Sequence, residues 1–153
     1  MEVEKRKIHV VGINSFEFED LSPATQVIIK QTNNIAIPES YFDQIKNWFN
    51  KLGINKKNLY PCKSNLKLIE WIERNSCDVV LISRGDPLWF GIGRILIEHF
   101  SKNELFFYPA ISCIQIAFSK LKRPWQESKW VSIHGRDTNE LIKAFKSRTA
   151  NLV

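Results

Sequence analysis

Short apolar runs alternate along the chain with segments of helical periodicity. A continuous apolar run bounded by turn residues is typical of a strand buried on both faces of a sheet. Such runs predict strands at residues 7–12, 34–38, 78–83, 104–109 and 129–135, and the start of another at 149–153. Apolar residues at helical spacing predict helices at residues 22–32, 40–53, 64–75, 94–100, 112–122 and 137–147.

Several predicted helices carry recognisable end signals. Ser22 stands before Pro23, which is the arrangement of an N-cap residue followed by proline in the first turn. Ser64 is the equivalent cap of the third helix, and Asp137 opens the last one. Gly53 closes the second helix, as glycine commonly does just beyond a helix end.

The alternation of strands and helices predicts an α/β fold around a mostly parallel sheet. An apolar run in the final five residues is an unusual place for a domain to end. We therefore expect the sequence to be the first part of a longer protein.

Composition narrows the class of protein. The chain has 153 residues, of which 44% are hydrophobic and 25% charged, as is ordinary for a globular protein. The three cysteines form no CxxC pair, which argues against a disulfide framework or a zinc site and favours a reducing compartment. The net charge of +6 would favour an acidic partner, but the basic residues are scattered and also fit a solvated surface.

Two glycine turns follow predicted strands, at Gly12 and at Gly85 in "SRGDPLWFGIGR". Ligands of open α/β sheets bind beyond the carboxyl ends of the strands, where glycine allows backbone N–H groups to approach them. Gly, Asp and Pro are also ordinary turn residues, so a purely structural turn is an equal alternative. The segment has neither the Lys-Ser/Thr ending of a P-loop nor the GxGxxG pattern.

Four ordered segments carry a family resemblance: "IHVVGINSFEFEDLSP", "SRGDPLWFGIGRIL", "YPAISCIQIAFSKLKRPW" and "WVSIHGRD". They resemble the tetrapyrrole (corrin/porphyrin) methylases, and within them the precorrin-6Y C5,15-methyltransferase type of cobalamin synthesis. The resemblance spans residues 8–137. It implies a two-domain fold, with residues 1–125 as the N-terminal methylase domain and 126–153 as the start of an incomplete second domain.

The resemblance also implies S-adenosyl-L-methionine as cofactor and a precorrin or cobalt-precorrin as substrate. Carried over by position, the cofactor-binding residues are Gly12, Gly85, Asp86, Leu88, Ser112 and Cys113. His134 and Arg136 are the candidates for contact with substrate carboxylates. Because the cofactor brings its own reactive group, no catalytic side chain and no metal are assigned.

The resemblance also implies a homodimer, and the three cysteines favour the cytoplasm. We expect neither a nucleic-acid nor a membrane partner. Two departures stand out: Arg84 replaces a small residue before Gly-Asp-Pro, and Cys113 replaces a serine. A relative with another substrate, including RNA, and a non-catalytic binding module are the alternative functions. If part of the fold is missing, we expect the 153 residues alone to methylate precorrin poorly.

Overall fold

The computed structural model describes residues 6–54, 57–126, 128–132 and 138–147. Its strands are β1 Ile8–Ile13, β2 Asn34–Pro38, β3 Asn58–Cys62, β4 Val79–Arg84 and β5 Leu105–Tyr108. Its α-helices are α1 Pro23–Gln31, α2 Phe42–Lys51, α3 Asn65–Arg74, α4 Gly93–His99, α5 Cys113–Leu121 and α6 Asn139–Lys146. Two short 3-10 turns, Phe18–Asp20 and Glu39–Tyr41, precede α1 and α2.

The five strands form one parallel sheet in the order β3-β2-β4-β1-β5. Alternate side chains of the central strands enter two apolar clusters, one on each face, because successive strand residues point to opposite sides. The first cluster, which we call face A, receives residues of α1 and α2, and the second, face B, receives residues of α3 and α4. The predicted α/β fold with a parallel sheet is therefore confirmed.

The strand order reverses direction at the β4–β1 pair. From β1 the chain passes across β4 to β2 by way of α1 on face A, whereas from β4 it passes across β1 to β5 by way of α4 on face B. The two connections diverge in opposite directions from neighbouring carboxyl ends. Such a topological switch point leaves a crevice in which open α/β sheets bind their ligands.

The predicted helix starts are confirmed where the structure describes them. The Ser22 and Ser64 hydroxyls accept the N–H groups of Thr25 and Lys67, respectively. Gly53 has a φ of 66° directly after α2, which a glycine adopts without steric cost.

Some elements differ from the prediction, and others lie outside the described residues. Strand β3 was not predicted, because it is a short edge strand interrupted by Pro61. The strand predicted at 129–135 is wrong over residues 129–132, which form only an isolated bridge at Lys129. Helix α6 begins at Asn139 with Thr138 in the capping position, while Asp137 and residues 149–153 lie outside the described residues.

The chain divides into two compact units, Met1–Ile111 and Ser112–Val153. The first contains the whole sheet and α1 to α4, and the second contains α5 and α6. Across the ranges described above, no helix has the length and apolar character needed to cross a membrane.

Candidate functional site

The ends of β4, β1 and β5 meet through backbone groups at the switch point. The Gly85 N–H donates to the Ile13 carbonyl at 2.7 Å, and the Gly85 carbonyl accepts from the Ala110 N–H at 3.3 Å. This second bond passes over Gly12. A Cβ at Gly12 would overlap the Gly85 carbonyl oxygen and lie 2.7 Å from the Ala110 nitrogen. Glycine at position 12 is therefore required by the approach of protein backbone, whether or not a ligand is bound.

The loop after β4 is a compact turn. Gly85 has a φ of 62°, in the left-handed region that favours glycine. One Asp86 carboxylate oxygen accepts the Leu88 N–H at 2.9 Å, so this side chain serves the turn itself. The Gly93 N–H donates to the buried Pro87 carbonyl at 2.9 Å, where α4 begins.

A cavity of about 400 Å³ opens beside these strand ends within the first compact unit. It lies within the range of about 300–1,000 Å³ typical of small-molecule sites. Its walls come from the end of β1, the start of α1 and the segment after β5, and they combine polar groups with aromatic rings. The lining residues are Gly12, Asn14, Asp20, Leu21, Ser22, Thr25, Phe107, Tyr108, Pro109, Ala110 and Ile111.

A buried histidine contacts Tyr108, one of the two aromatic residues that line the cavity. His9 of β1 lies 3.1 Å from the Tyr108 hydroxyl through Nδ1, and its ring also packs against Phe106. Burial lowers the pKa of His9 below its usual 6.5, and the Asp78 carboxylate opposes this shift. Burial also raises the pKa of Tyr108. A neutral pair of this kind holds the tyrosine ring in one position.

A second group of aromatic residues lies at the end of β4 on face A. The Arg84 guanidinium stands 5.5 Å from the centre of the Phe16 ring, and the Phe16 and Tyr41 rings are 5.9 Å apart. Trp48 fixes the loop by donating its Nε1–H to the Phe16 carbonyl at 2.6 Å. Burial raises the pKa of Tyr41 to about 12, while the charge of Arg84 acts to lower it.

The structure brings some of the predicted site residues together. Gly12 lines the cavity, and Gly85 is bonded to the cavity residue Ala110. Asp86 and the exposed Leu88 belong to the adjoining turn and do not line the cavity. Their predicted contacts with a cofactor stay predictions.

The other predicted residues lie in the second compact unit or outside the described residues, and their roles stay predictions. Ser112 and Cys113 begin α5 in the second compact unit. Ser112 forms a capping box there: its hydroxyl accepts the Gln115 N–H, and the Gln115 side chain accepts the Ser112 N–H. The exposed Cys113 is a free thiol. His134 and Arg136 lie outside the described residues.

Several cavity residues were not identified from the sequence, among them Asn14, Thr25 and Tyr108. Their common signal is position, because each lies at or just beyond the carboxyl end of β1 or β5, or in the helix that follows. No group of three or more possible metal ligands is gathered in the part of the chain that the structure describes.

Comparisons with known proteins agree with this architecture. The family described as Tetrapyrrole (Corrin/Porphyrin) Methylases matches residues 7–153. The methyltransferase CobJ has a similar fold, with a TM-score of 0.69 at 19% identity over 92% of this chain and 62% of that one.

Curated relatives match over a shorter region. A precorrin-6Y C(5,15)-methyltransferase [decarboxylating] of Sinorhizobium sp is 36% identical over 69 residues, which is 45% of this chain and 17% of that protein. A cobalt-precorrin-7 C(5)-methyltransferase of Salmonella typhimurium is 33% identical over 70 residues, 45% of this chain and 35% of the relative. The matched regions therefore span about a third or less of the relatives' own lengths. With a family match over nearly all of its residues, the chain belongs to the tetrapyrrole (corrin/porphyrin) methylases.

Proposed function

We propose that this chain is part of an S-adenosyl-L-methionine-dependent methyltransferase that methylates a precorrin or cobalt-precorrin in cobalamin biosynthesis. One observation carries the proposal: this chain, which belongs to the family, has a cavity of about 400 Å³ beside the switch point of its parallel sheet. Relatives named as precorrin and cobalt-precorrin methyltransferases support the substrate class.

The residues around the cavity suit this cofactor. Asn14, Ser22 and Thr25 supply polar groups, and Tyr108 supplies a flat apolar wall. S-adenosyl-L-methionine has the same mixture of parts, namely a purine, ribose hydroxyls and a charged amino-acid end. When bound, the cofactor supplies an activated methyl group on a sulfonium sulfur.

The chain's own contribution is then to bind and orient the cofactor and to exclude water from the site. The Gly85–Ala110 bond and the His9–Tyr108 pair fix two sides of the site before any ligand arrives, which reduces the ordering cost of binding. Methyl transfer needs an aligned approach of the substrate carbon, and a rigid site supplies that alignment.

We keep the remaining site assignments as parts of this proposal. Gly85, Asp86, Leu88, Ser112 and Cys113 complete the cofactor site. His134 and Arg136 contact the substrate's carboxylates. Residues 1–125 are the N-terminal methylase domain and 126–153 the start of the second. The division between compact units, after Ile111, concerns packing and does not test that boundary.

We also propose a cytoplasmic homodimer. The three cysteines are free thiols, which fits a reducing compartment. Large apolar side chains of the second unit are exposed, among them Leu121 and Phe145, and self-association would cover such groups. Light scattering on the purified protein tests this assembly: a monomer at micromolar concentration would contradict it.

A methyl-transfer assay tests the activity. The protein encoded by the complete reading frame is incubated with methyl-deuterated S-adenosyl-L-methionine and a cobalt-precorrin. The mass of the macrocycle is then measured by mass spectrometry. We expect the labelled methyl group on the macrocycle, and loss of transfer in Gly85→Val, because valine is strained at a φ of 62°. An unlabelled macrocycle at saturating cofactor would contradict the proposal.

A further inference from the structure

Arg84 occupies an unusual position for an exposed cation. It is the last residue of β4, pairs in register with Ile13 of β1, and directly precedes Gly85. Neighbouring strands are about 4.8 Å apart. Arg84 therefore lies at the switch point, beside the strand whose next residue, Asn14, lines the cavity.

The side chain of Arg84 lies on face A, where helix α1 and part of the cavity wall also lie. Val80 and Ile82 of β4 belong to the face A cluster, and Arg84 continues their alternation. Helix α1 packs into that cluster through Ile29, and Thr25 in its first turn lines the cavity. A ligand that extends beyond the cavity along the carboxyl edge on face A would meet the guanidinium.

The guanidinium is positioned but not neutralised by the residues that the structure describes. It rests over the Phe16 ring, whose loop is fixed by Trp48. The acids that follow Phe16 in the chain have other partners, since Glu17 pairs with Lys51 at 3.7 Å and Asp20 accepts from the Ser15 hydroxyl at 2.6 Å. Within the described ranges Arg84 itself makes no ion pair.

We propose that Arg84 is a specificity-determining residue that binds a carboxylate of the macrocyclic substrate. A guanidinium presents planar, paired N–H donors that match a carboxylate, and its stacking on Phe16 reduces the side-chain freedom lost on binding. This inference rests on the proposed function for the identity of the ligand. Arg84 is then a substrate contact on the sheet itself, in addition to the proposed contacts of His134 and Arg136.

The test uses two probes that separate the sites. Uroporphyrin, which carries two carboxylates on each pyrrole ring, reports on the macrocycle site, and S-adenosylhomocysteine reports on the cofactor site. Binding of each is measured by fluorescence or calorimetry for the parent, Arg84→Gln and Arg84→Lys. Arg74→Gln is the matched control, because it removes the same charge from an exposed arginine at the end of α3.

We expect Arg84→Gln to weaken uroporphyrin binding by about tenfold, the effect of losing one hydrogen bond between charged groups. Arg84→Lys should lose less, since it keeps the charge but not the paired donors. Arg74→Gln should match the parent, and S-adenosylhomocysteine affinity should be the same in all four proteins. The neutral methyl ester of uroporphyrin should show no difference between parent and Arg84→Gln.

Three results would overturn the assignment of Arg84: no saturable binding of uroporphyrin to the parent, an unchanged affinity in Arg84→Gln, or an equal loss in Arg74→Gln. The last of these would indicate general charge attraction. Failure of S-adenosylhomocysteine to bind the parent would instead contradict the proposed function, and a selective loss of uroporphyrin binding in Arg84→Gln would still support the carboxylate contact.

Discussion

At the residue scale, the missing side chain of Gly12 is what lets three strand ends meet. The Gly85 carbonyl and the Ala110 N–H bond to each other across the space that a Cβ would occupy. The neighbouring atoms are backbone and cannot rotate away.

We predict that Gly12→Ala destabilises the fold by about 3 kcal/mol, at the upper end of the cost of overpacking. The measurement is the free energy of unfolding in urea. Gly53→Ala is the control, because its Cβ would meet nothing within 4 Å and only the φ of 66° opposes it, at about 1 kcal/mol. A loss in Gly12→Ala no larger than that in Gly53→Ala would contradict the prediction.

Also at the residue scale, His9 makes the stability of the fold depend on pH. Burial lowers its pKa below 6.5, the charged groups that face it being Asp78 and Lys7. The folded protein then binds the proton more weakly than the unfolded chain does, so stability falls as the pH drops from 6.5 until it passes the lowered pKa.

We predict that His9→Gln loses less stability than the parent when the pH is lowered below 6.5, because the contribution of His9 is removed. The free energy of unfolding is compared between neutral and mildly acidic pH. His99→Gln, at the exposed end of α4, is the matched control for removal of an imidazole and should keep the parent's dependence. A His9→Gln profile parallel to that of the parent would refute the prediction.

At the element scale, α1 and α3 begin with equivalent serine caps, but only the cap of α1 lines the cavity. Ser22 caps α1 and lines the cavity, whereas Ser64 caps α3 and does not line it. We predict that Ser22→Ala and Ser64→Ala each cost about 1 kcal/mol of stability. Only Ser22→Ala should also weaken binding of S-adenosylhomocysteine by calorimetry. Equal affinities in the two variants would remove the start of α1 from the cofactor site.

Elements with strong local signals could be predicted from sequence. The buried runs of β1 and β4 and the serine caps depend on neighbours in the chain, and each was found. Strand β3 was missed because its pairing with β2 decides its state, and Pro61 is a poor local signal for a strand. Residues 129–132 were wrongly predicted because apolar alternation alone does not form a ladder, and within the described residues this segment makes only the bridge at Lys129.

At the scale of the whole molecule, the site depends on strand order, which local patterns do not determine. Gly12 and Gly85 were predicted as turns at strand ends. Gly12 instead lies within β1, and its approach to Gly85 follows from β1 lying between β4 and β5. His9 and Tyr108 are 99 residues apart in sequence, and Arg84 of β4 contacts Phe16 in the loop after β1. The family resemblance predicted a cofactor site at these strand ends, and the structure has a cavity beside Gly12, whose other lining residues the sequence did not indicate.

The central claim is that the cavity beside the switch point binds the cofactor, and a titration with S-adenosylhomocysteine tests it most directly. Asn14→Trp places a large ring at an exposed position in the cavity wall, and Asn103→Trp places the same ring in an exposed turn away from it. We predict one saturable site in the parent and in Asn103→Trp, and a loss of at least about tenfold, or about 1.4 kcal/mol, in Asn14→Trp. Unchanged affinity in Asn14→Trp, or no binding to the parent, would contradict the claim.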